Sequence, residues 1–353
     1  ASGTVTVKAE AVKTVAPYDV VRKMRASICV LGPLLGREKE ATVSLPGGCV
    51  IGDRPIDLHL RGFEALGAAV RVHAGNVKLF APRLRGARVS MKGRYGTTVL
   101  GTDNVMMAAA LADGVTVIED AACEPEVIDL ATFLNKMGAK VHGAGTSIIT
   151  IEGVSELHGA EHEVIPDRIE AGTFLIAGAL AGRQVTVTRI RPDHLMAVTD
   201  ALQAAGYQFA GSNGSLTISA NGTPKPLHLK TEPYPGFPTD MQAQMCALLS
   251  MASGESSLTE NIFPQRFMHV SELKRMGAAI ELDGATARIL GVGALSGAPV
   301  MASDLRASAA LVLAGLRADG DTEINRVYHI DRGYEHIDEK LGGLGAHIER
   351  VKV

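Results

Sequence analysis

Tryptophan is absent from the 353 residues, and aromatic side chains make up only 4% of them. A core built on large rings is excluded, so small side chains must pack it; 39 glycines and a 46% hydrophobic share supply the turns and the apolar mass. An excess of charge of either sign is also missing. Thirty-five Lys and Arg against 38 Asp and Glu leave −3 at pH 7, and no basic run tracks a phosphate backbone, which argues against nucleic acid or an anionic membrane as partner. Long apolar runs are lacking too. Stretches such as Ala307–Leu316 are too short to span a bilayer, and no secretory signal opens the chain, so no membrane insertion is expected and the cytoplasm is the expected compartment. Cysteine occurs only at 29, 49, 123 and 246, with no CxxC pair, which argues against a zinc site or a disulfide framework.

What is present is a repeat. A glycine closes a helical pattern at Gly67, Gly138, Gly206, Gly277 and Gly345, at intervals of 71, 68, 71 and 68 residues. After each comes an alternating strand, a small turn and a second strand, as in 69–72 and 77–80. Glycine suits the helix end because the chain there often needs positive φ. A second helix type, rich in Ala, Leu and Met, begins near Arg25, Thr102, Arg168, Asp240 and Arg306. It is apolar nearly all round, so it should lie inside a domain. One unit therefore reads strand, buried helix, strand, outer helix, two strands, which is an α/β fold of stacked units. On this register 2–8 aligns with 74–80, so the chain is expected to begin inside a closing hairpin.

Residues 44–59 (SLPGGCVIGDRPIDLH) stand apart from the repeat. Pro46, Gly47, Gly48 and Gly52 exclude regular structure and predict a loop, with one thiol, Cys49, followed by the fixed charge of Arg54. A thiol near a guanidinium exchanges a proton near neutral pH, and a loop can carry it over a bound substrate. The other charges gather where buried helices begin: Arg22, Lys23 and Arg25; Asp167 and Arg168; Asp240; Asp304 and Arg306. Helix N-termini hold anions, and arginines there suit phosphate and carboxylate. For Asp167 and Asp304 helix capping and ligand contact are both open. Asp240 follows Thr239, which could cap by itself, so a catalytic role is favoured for Asp240. Residues 143–148 (GAGTSI) lack the last glycine of a dinucleotide fingerprint and read as a turn. His329 and His336 flank Asp331-Arg332 without any metal-ligand spacing, so no metal is expected.

Residues 44–59 resemble the cysteine loop of the UDP-N-acetylglucosamine enolpyruvyl transferases (1-carboxyvinyltransferases), of the EPSP synthase-like family. So do 18–27 (YDVVRKMRAS), 166–174 (PDRIEAGTF), 237–244 (FPTDMQAQ), 266–270 (RFMHV), 304–308 (DLRAS) and 328–334 (YHIDRGY), in the family's order over essentially the whole chain. The resemblance implies a two-domain inside-out α/β barrel of βαβαββ units with the active site in the interdomain cleft. A cysteine-loop domain, 1–165, would be followed by a second domain, 166–353, carrying Asp240, Arg306 and Arg332. It also implies an N-terminal section ahead of this chain's start, with a Lys-Asn pair that touches both substrates.

The implied reaction moves the enolpyruvyl group of phosphoenolpyruvate to the 3-hydroxyl of UDP-N-acetylglucosamine and releases phosphate, the first committed step toward peptidoglycan. Addition followed by elimination needs two acid–base groups. Cys49 aligns with the cysteine that protonates the methylene carbon, and Asp240 with the aspartate at the sugar hydroxyl. Arg54 and Arg332 align with arginines for phosphoenolpyruvate, and Arg306 with a further cleft arginine. Arg25 aligns with a sugar-nucleotide contact; Arg54, Pro55, Ile56, Asp57, Leu58 and His59 fall in the uridine-binding run, and Ile262 matches an apolar backbone contact. Thr98 and Val99 follow a phosphate-contacting loop that looks longer here, at 92–97. Pro264 replaces a Glu common in relatives, and Cys29 a Trp. Arginines that polarise the donor remove the need for a metal, and the expected protein is a cofactor-free monomer. The enzymatic rival is the shikimate-pathway enolpyruvyl transferase, which lacks the cysteine loop; a sugar-nucleotide sensor is the non-catalytic alternative.

Overall fold

The computed structural model describes residues 3–22, 24–45, 56–220 and 222–351, with the backbone alone at Arg25. They fall into two compact units, the first ending at Glu163 and the second beginning at Val164.

In the first unit β1 (Val15–Ala16) runs parallel to β2 (Glu40–Ser44), which pairs antiparallel with β4 (Asn76–Phe80); β3 (Ala69–His73) completes the sheet on the far side of β4. The pattern recurs with β5 (Arg88–Ser90) parallel to β8 (Val115–Glu119), then β10 (Ile148–Glu152) and β9 (Lys140–His142). A short hairpin, β6 (Lys92–Gly93) and β7 (Gly96–Thr97), stands between these repeats.

The second unit opens with a three-stranded version: β11 (Gln184–Thr188), β13 (Ser215–Ser219) and β12 (Gln208–Ser212). A full four-stranded copy follows, in the order β14 (His228–Lys230), β15 (Glu255–Thr259), β17 (Thr286–Leu290) and β16 (Ala279–Asp283). Last comes the parallel pair β18 (Pro299–Met301) and β19 (Glu323–Asn325).

After a single turn, α1 (Tyr18–Val21), the helices alternate as the repeat requires. The inner set is α2 (Leu31–Glu38), α4 (Val99–Ala109), α6 (Arg168–Ala181), α8 (Gln242–Leu249) and α10 (Leu305–Gly315). The outer set is α3 (Asp57–Ala65), α5 (Pro125–Lys136), α7 (Met196–Ala204), α9 (Met268–Arg275) and α11 (Ile337–Gly343). All eight residues of α8 are buried, and α10 exposes little beyond its ends, because an apolar surface on every side leaves no face for water. The five glycines that close the outer helices have φ between 90° and 104°, a conformation a side chain would oppose.

Close packing of the inner helices depends on glycine at one crossing. A Cβ added to Gly32 on α2 would lie 2.2 Å from the carbonyl oxygen of Asn104 on α4. Asn104 uses that proximity: its side chain accepts from the Gly32 N–H at 2.7 Å and donates to the Ile28 carbonyl at 2.9 Å. Among the described residues each unit has one hydrophobic cluster, formed by its inner helices, the buried faces of its sheets and the inward sides of its outer helices.

Two expectations change. Residues 3–14 form no strand, and Val5 and Val7 are 84% and 85% exposed, so the opening hairpin is not formed. Residues 346–351, after the last helix-closing glycine, form none either. A strand persists only against a partner ladder, and neither segment has one among the described residues. The sheets are open, and none closes into a barrel among the described residues.

Candidate active site

In the second unit the starts of three inner helices meet around charge. Asp167 caps α6, accepting from the N–H groups of Ile169 at 2.8 Å and Glu170 at 3.0 Å. Asp304 caps α10 in the same way, with Arg306 at 2.9 Å and Ala307 at 3.1 Å. The ambiguity left by the sequence is resolved for these side chains: both are helix caps, satisfying N–H groups that have no partner inside the helix.

Asp240 differs. It sits in a 3-10 turn, Thr239–Met241, ahead of α8, and it caps nothing. Its carboxylate lies between two guanidiniums, Arg266 at 2.7 Å and Arg306 at 3.2 Å. Both arginine side chains are nearly buried, at 8% and 12% exposure, whereas that of Asp240 is 39% exposed. Burial alone would raise the pKa of Asp240, but the charges and hydrogen bonds of Arg266 and Arg306 outweigh it and hold the carboxyl well below the usual range. Arg306 is pushed upward in turn: burial opposes its charge, but Asp240, Tyr334 and Asp167 more than compensate.

A buried polar network fixes this arrangement. Tyr334, fully buried, receives Arg306 Nη1 on its hydroxyl at 3.1 Å, with Thr173 Oγ1 at 3.0 Å and Gln244 Nε2 at 3.3 Å. Gln244 also donates to the Asp240 carbonyl at 2.9 Å and to Thr173 Oγ1 at 3.1 Å, so one amide ties α8 to α6 beneath the acid. Behind Arg266, His269 is buried and pulled down to about 4, mainly by burial, with Arg266 adding to the effect and Asp304 opposing it. It is a neutral ring at neutral pH.

Arg332 ends a 3-10 turn, Val327–Arg332, exposed and without an ion pair among the described residues. An exposed arginine without an acidic partner is free to take an anion. The N–H of Ile262 donates to Glu260 Oε1 at 2.8 Å, which holds the loop after β15 in place.

In the first unit, Ile56 and His59 are buried, and Asp57 stands exposed in the first turn of α3. His59 Nδ1 lies 2.9 Å from Asn104 Nδ2, so its ring is engaged inside the unit. Leu58 reaches the β6–β7 hairpin, where a Cβ on Gly93 would come within 2.9 Å of its Cδ1. Arg61 joins the two elements further, donating to the carbonyls of Ser90 and of Lys92, the latter at 2.9 Å. Thr98 caps α4, accepting from the Gly101 N–H at 3.1 Å, and Val99 begins that helix. The start of α3 and the 92–98 segment, singled out separately in the sequence, are thus neighbours. Cys49, Arg54 and Pro55 lie outside the described residues, as does the side chain of Arg25.

Sequence reasoning gave no role to Arg266, Tyr334, Gln244 or Glu260. The first three stood inside the quoted motifs, but nothing in their spacing shows that they converge on Asp240. Among the described residues no group of three or more His, Cys, Asp and Glu could hold a metal ion, and no helix is long and apolar enough to cross a membrane.

Repeated α/β units, with an acid clamped between arginines where the inner helices begin, define the class. Residues 1–341 match the profile of EPSP synthase (3-phosphoshikimate 1-carboxyvinyltransferase), and the chain belongs to that family. Within it, the chain is 60% identical over 353 residues to the UDP-N-acetylglucosamine 1-carboxyvinyltransferase of Akkermansia muciniphila, covering 99% of this chain and 83% of that protein. It is 57% identical over 349 residues to the protein of the same name from Methylacidiphilum infernorum, with the same coverage. Among solved structures, the enolpyruvyl transferase NikO from Streptomyces tendae superposes with a TM-score of 0.85 at 26% identity, over 96% of this chain and 80% of that one. EPSP synthase from Acinetobacter baumannii, at 19% identity and a TM-score of 0.68, shares the fold.

Proposed function

We propose that the chain transfers the enolpyruvyl group of phosphoenolpyruvate to the 3-hydroxyl of UDP-N-acetylglucosamine, releasing phosphate. The observation that carries this reading is Asp240, half-open to solvent and held between Arg266 and Arg306. Such a site places a proton acceptor beside cations that suit an anionic donor. The names of the relatives supply the acceptor, UDP-N-acetylglucosamine, and the carboxyvinyl group that is transferred.

In the addition step the sugar oxygen gives up its proton toward Asp240 and bonds to C2 of the donor, while C3 gains a proton from Cys49. Elimination then breaks the bond from C2 to the phosphate oxygen and restores the double bond, with the Cys49 thiolate taking back a proton from C3 and the proton on Asp240 passing to the departing phosphate. An acid held as low as Asp240 is a weak base in the resting protein. A donor that draws guanidinium charge to its own carboxylate and phosphate relaxes that hold, so Asp240 gains basicity when the donor is present. Arg54, Arg306 and Arg332 serve the donor, and Arg25, the 54–59 run, Thr98, Val99 and Ile262 the nucleotide. The finer architecture is part of the same proposal: an inside-out barrel with its site in an interdomain cleft, a cysteine-loop domain at 1–165 and a second domain at 166–353. So are a cytoplasmic location and a monomeric state.

Phosphate release measured with phosphoenolpyruvate and either acceptor tests this. Turnover with UDP-N-acetylglucosamine and none with shikimate 3-phosphate is expected; the reverse overturns the assignment.

The epoxide fosfomycin, an analogue of the donor, should alkylate Cys49. The other thiols are poor competitors: burial pushes Cys29 and Cys246 up to about 12, with Asp103 adding to the effect at Cys29, and burial and then Glu124 raise Cys123. A thiol rather than a thiolate reacts slowly. Peptide mapping that finds the adduct on any of those three instead of Cys49 refutes the assignment of the reactive thiol.

A further inference from the structure

Glu260, at the end of β15, is fully buried, and its two oxygens serve different segments. Oε1 accepts from the Thr231 hydroxyl at 2.7 Å and from the N–H groups of Ile262 at 2.8 Å and Phe263 at 2.9 Å. The Thr231 hydroxyl itself accepts from the Asn261 N–H at 2.9 Å. Oε2 accepts from the Thr239 hydroxyl at 2.9 Å, and that hydroxyl accepts from Arg266 Nη1 at 3.0 Å, the same nitrogen that pairs with Asp240. One carboxylate therefore fixes the loop at 261–263 through one oxygen and the turn of Asp240, with its arginine, through the other.

We propose that Glu260 is a positioning residue for the transfer reaction, setting the Asp240 turn and the Ile262 backbone at a fixed separation through two independent arms. The inference rests on the proposed function and goes beyond it, since it assigns acceptor placement and proton transfer to opposite oxygens of one residue that touches neither substrate. Two arms are chemically separable. Glu260→Gln retains a carbonyl oxygen for the loop, but its amide cannot accept from Thr239. That hydroxyl then faces two donors, and the Arg266 contact is disturbed. Thr239→Val breaks the same arm from the other end, and Thr239→Ser restores the hydroxyl. Thr231→Val weakens the loop arm alone.

Steady-state kinetics of the full chain, with UDP-N-acetylglucosamine varied, should split accordingly. Glu260→Gln and Thr239→Val lower kcat about ten- to a hundredfold, the scale of a displaced catalytic group, with KM for the nucleotide shifted less than about threefold. Thr239→Ser recovers most of the loss. Thr231→Val raises KM about three- to tenfold, as expected for loss of one supporting hydrogen bond, with a smaller effect on kcat. If all variants shift kcat and KM in the same proportion, or change only the melting temperature, Glu260 is a structural brace and the proposal is wrong.

A second readout needs no turnover. Hydrogen exchange at the Ile262 and Phe263 amides should quicken in Glu260→Ala and stay slow in Thr239→Val. Equal protection in all variants overturns the two-arm arrangement even if the chain proves inactive. An inactive wild type that binds no UDP-N-acetylglucosamine would instead refute the proposed function.

Discussion

Asp240→Asn should cut turnover about a hundred- to ten-thousandfold, the range for loss of an acid–base group, while leaving the fold in place. The amide keeps the size and one acceptor oxygen of the carboxylate but can neither take the proton nor neutralise its neighbours. Asp240→Ala is the poorer test. Like asparagine it removes the anion between the nearly buried guanidiniums of Arg266 and Arg306, but it also removes the acceptor oxygen that asparagine keeps for them, and an uncompensated buried charge with no hydrogen-bond partner is costly. Because Asp240 is itself 39% exposed, solvent screens part of this, and a cost below about 3 kcal/mol is expected for the alanine variant. The sign with pH follows from the depressed pKa of Asp240. A carboxyl held below its unfolded value of about 3.9 adds stability above that pH and loses it as pH falls toward the folded value. The stability difference between wild type and Asp240→Asn should therefore be flat from neutral pH down to about pH 4 and shrink below it. Turnover within tenfold of wild type, together with a lowered melting temperature, would make Asp240 a structural ion-pair member only.

The repeat was legible in the chain because each part of it has a local cause. Glycines at 67, 138, 206, 277 and 345 mark helix ends because the backbone there turns to positive φ. The inner helices announce themselves by lacking a polar face, as α8 does over Gln242–Leu249. Pairing is what a local pattern does not carry. Residues 3–8 alternate like a strand, yet they have no partner among the described residues and form none. The same limit applies to the site. Asp240 could be singled out because Thr239 before it could cap by itself and because 237–244 resembles the family. Its partners come from 26 and 66 residues further along the chain, and no periodicity links those positions. Glu260 is the clearest case: as a lone acid at a strand end it reads as solvated surface, and only the assembled fold shows its side chain buried under four donors.

Arg306→Gln should lower kcat/KM about a hundred- to a thousandfold, the scale for removing a preorganised cationic group that faces developing or substrate charge. It should also move the acid limb of the pH profile. Arg306 reaches two partners with one fork, Nη2 to Asp240 at 3.2 Å and Nη1 to the Tyr334 hydroxyl at 3.1 Å, with the guanidinium carbon 5.6 Å from the centre of the Tyr334 ring. Removing it takes away one of the two cations that hold Asp240 low, so the pKa of Asp240 rises toward the ordinary carboxylate value. The free enzyme then loses activity at a higher pH on the acid side than wild type, because kcat/KM reports groups of the unliganded protein. The Tyr334 hydroxyl keeps Thr173 and Gln244, so α6 and α8 stay tied to it, and the melting temperature should change little. Arg306→Lys separates charge from geometry. A lysine restores a positive charge and part of the pH profile, but a single ammonium cannot span both partners as the fork does, so turnover should recover only in part. An acid limb unmoved in Arg306→Gln would show that Asp240 does not govern proton transfer in the resting protein, and full recovery in Arg306→Lys would reduce Arg306 to a bare charge.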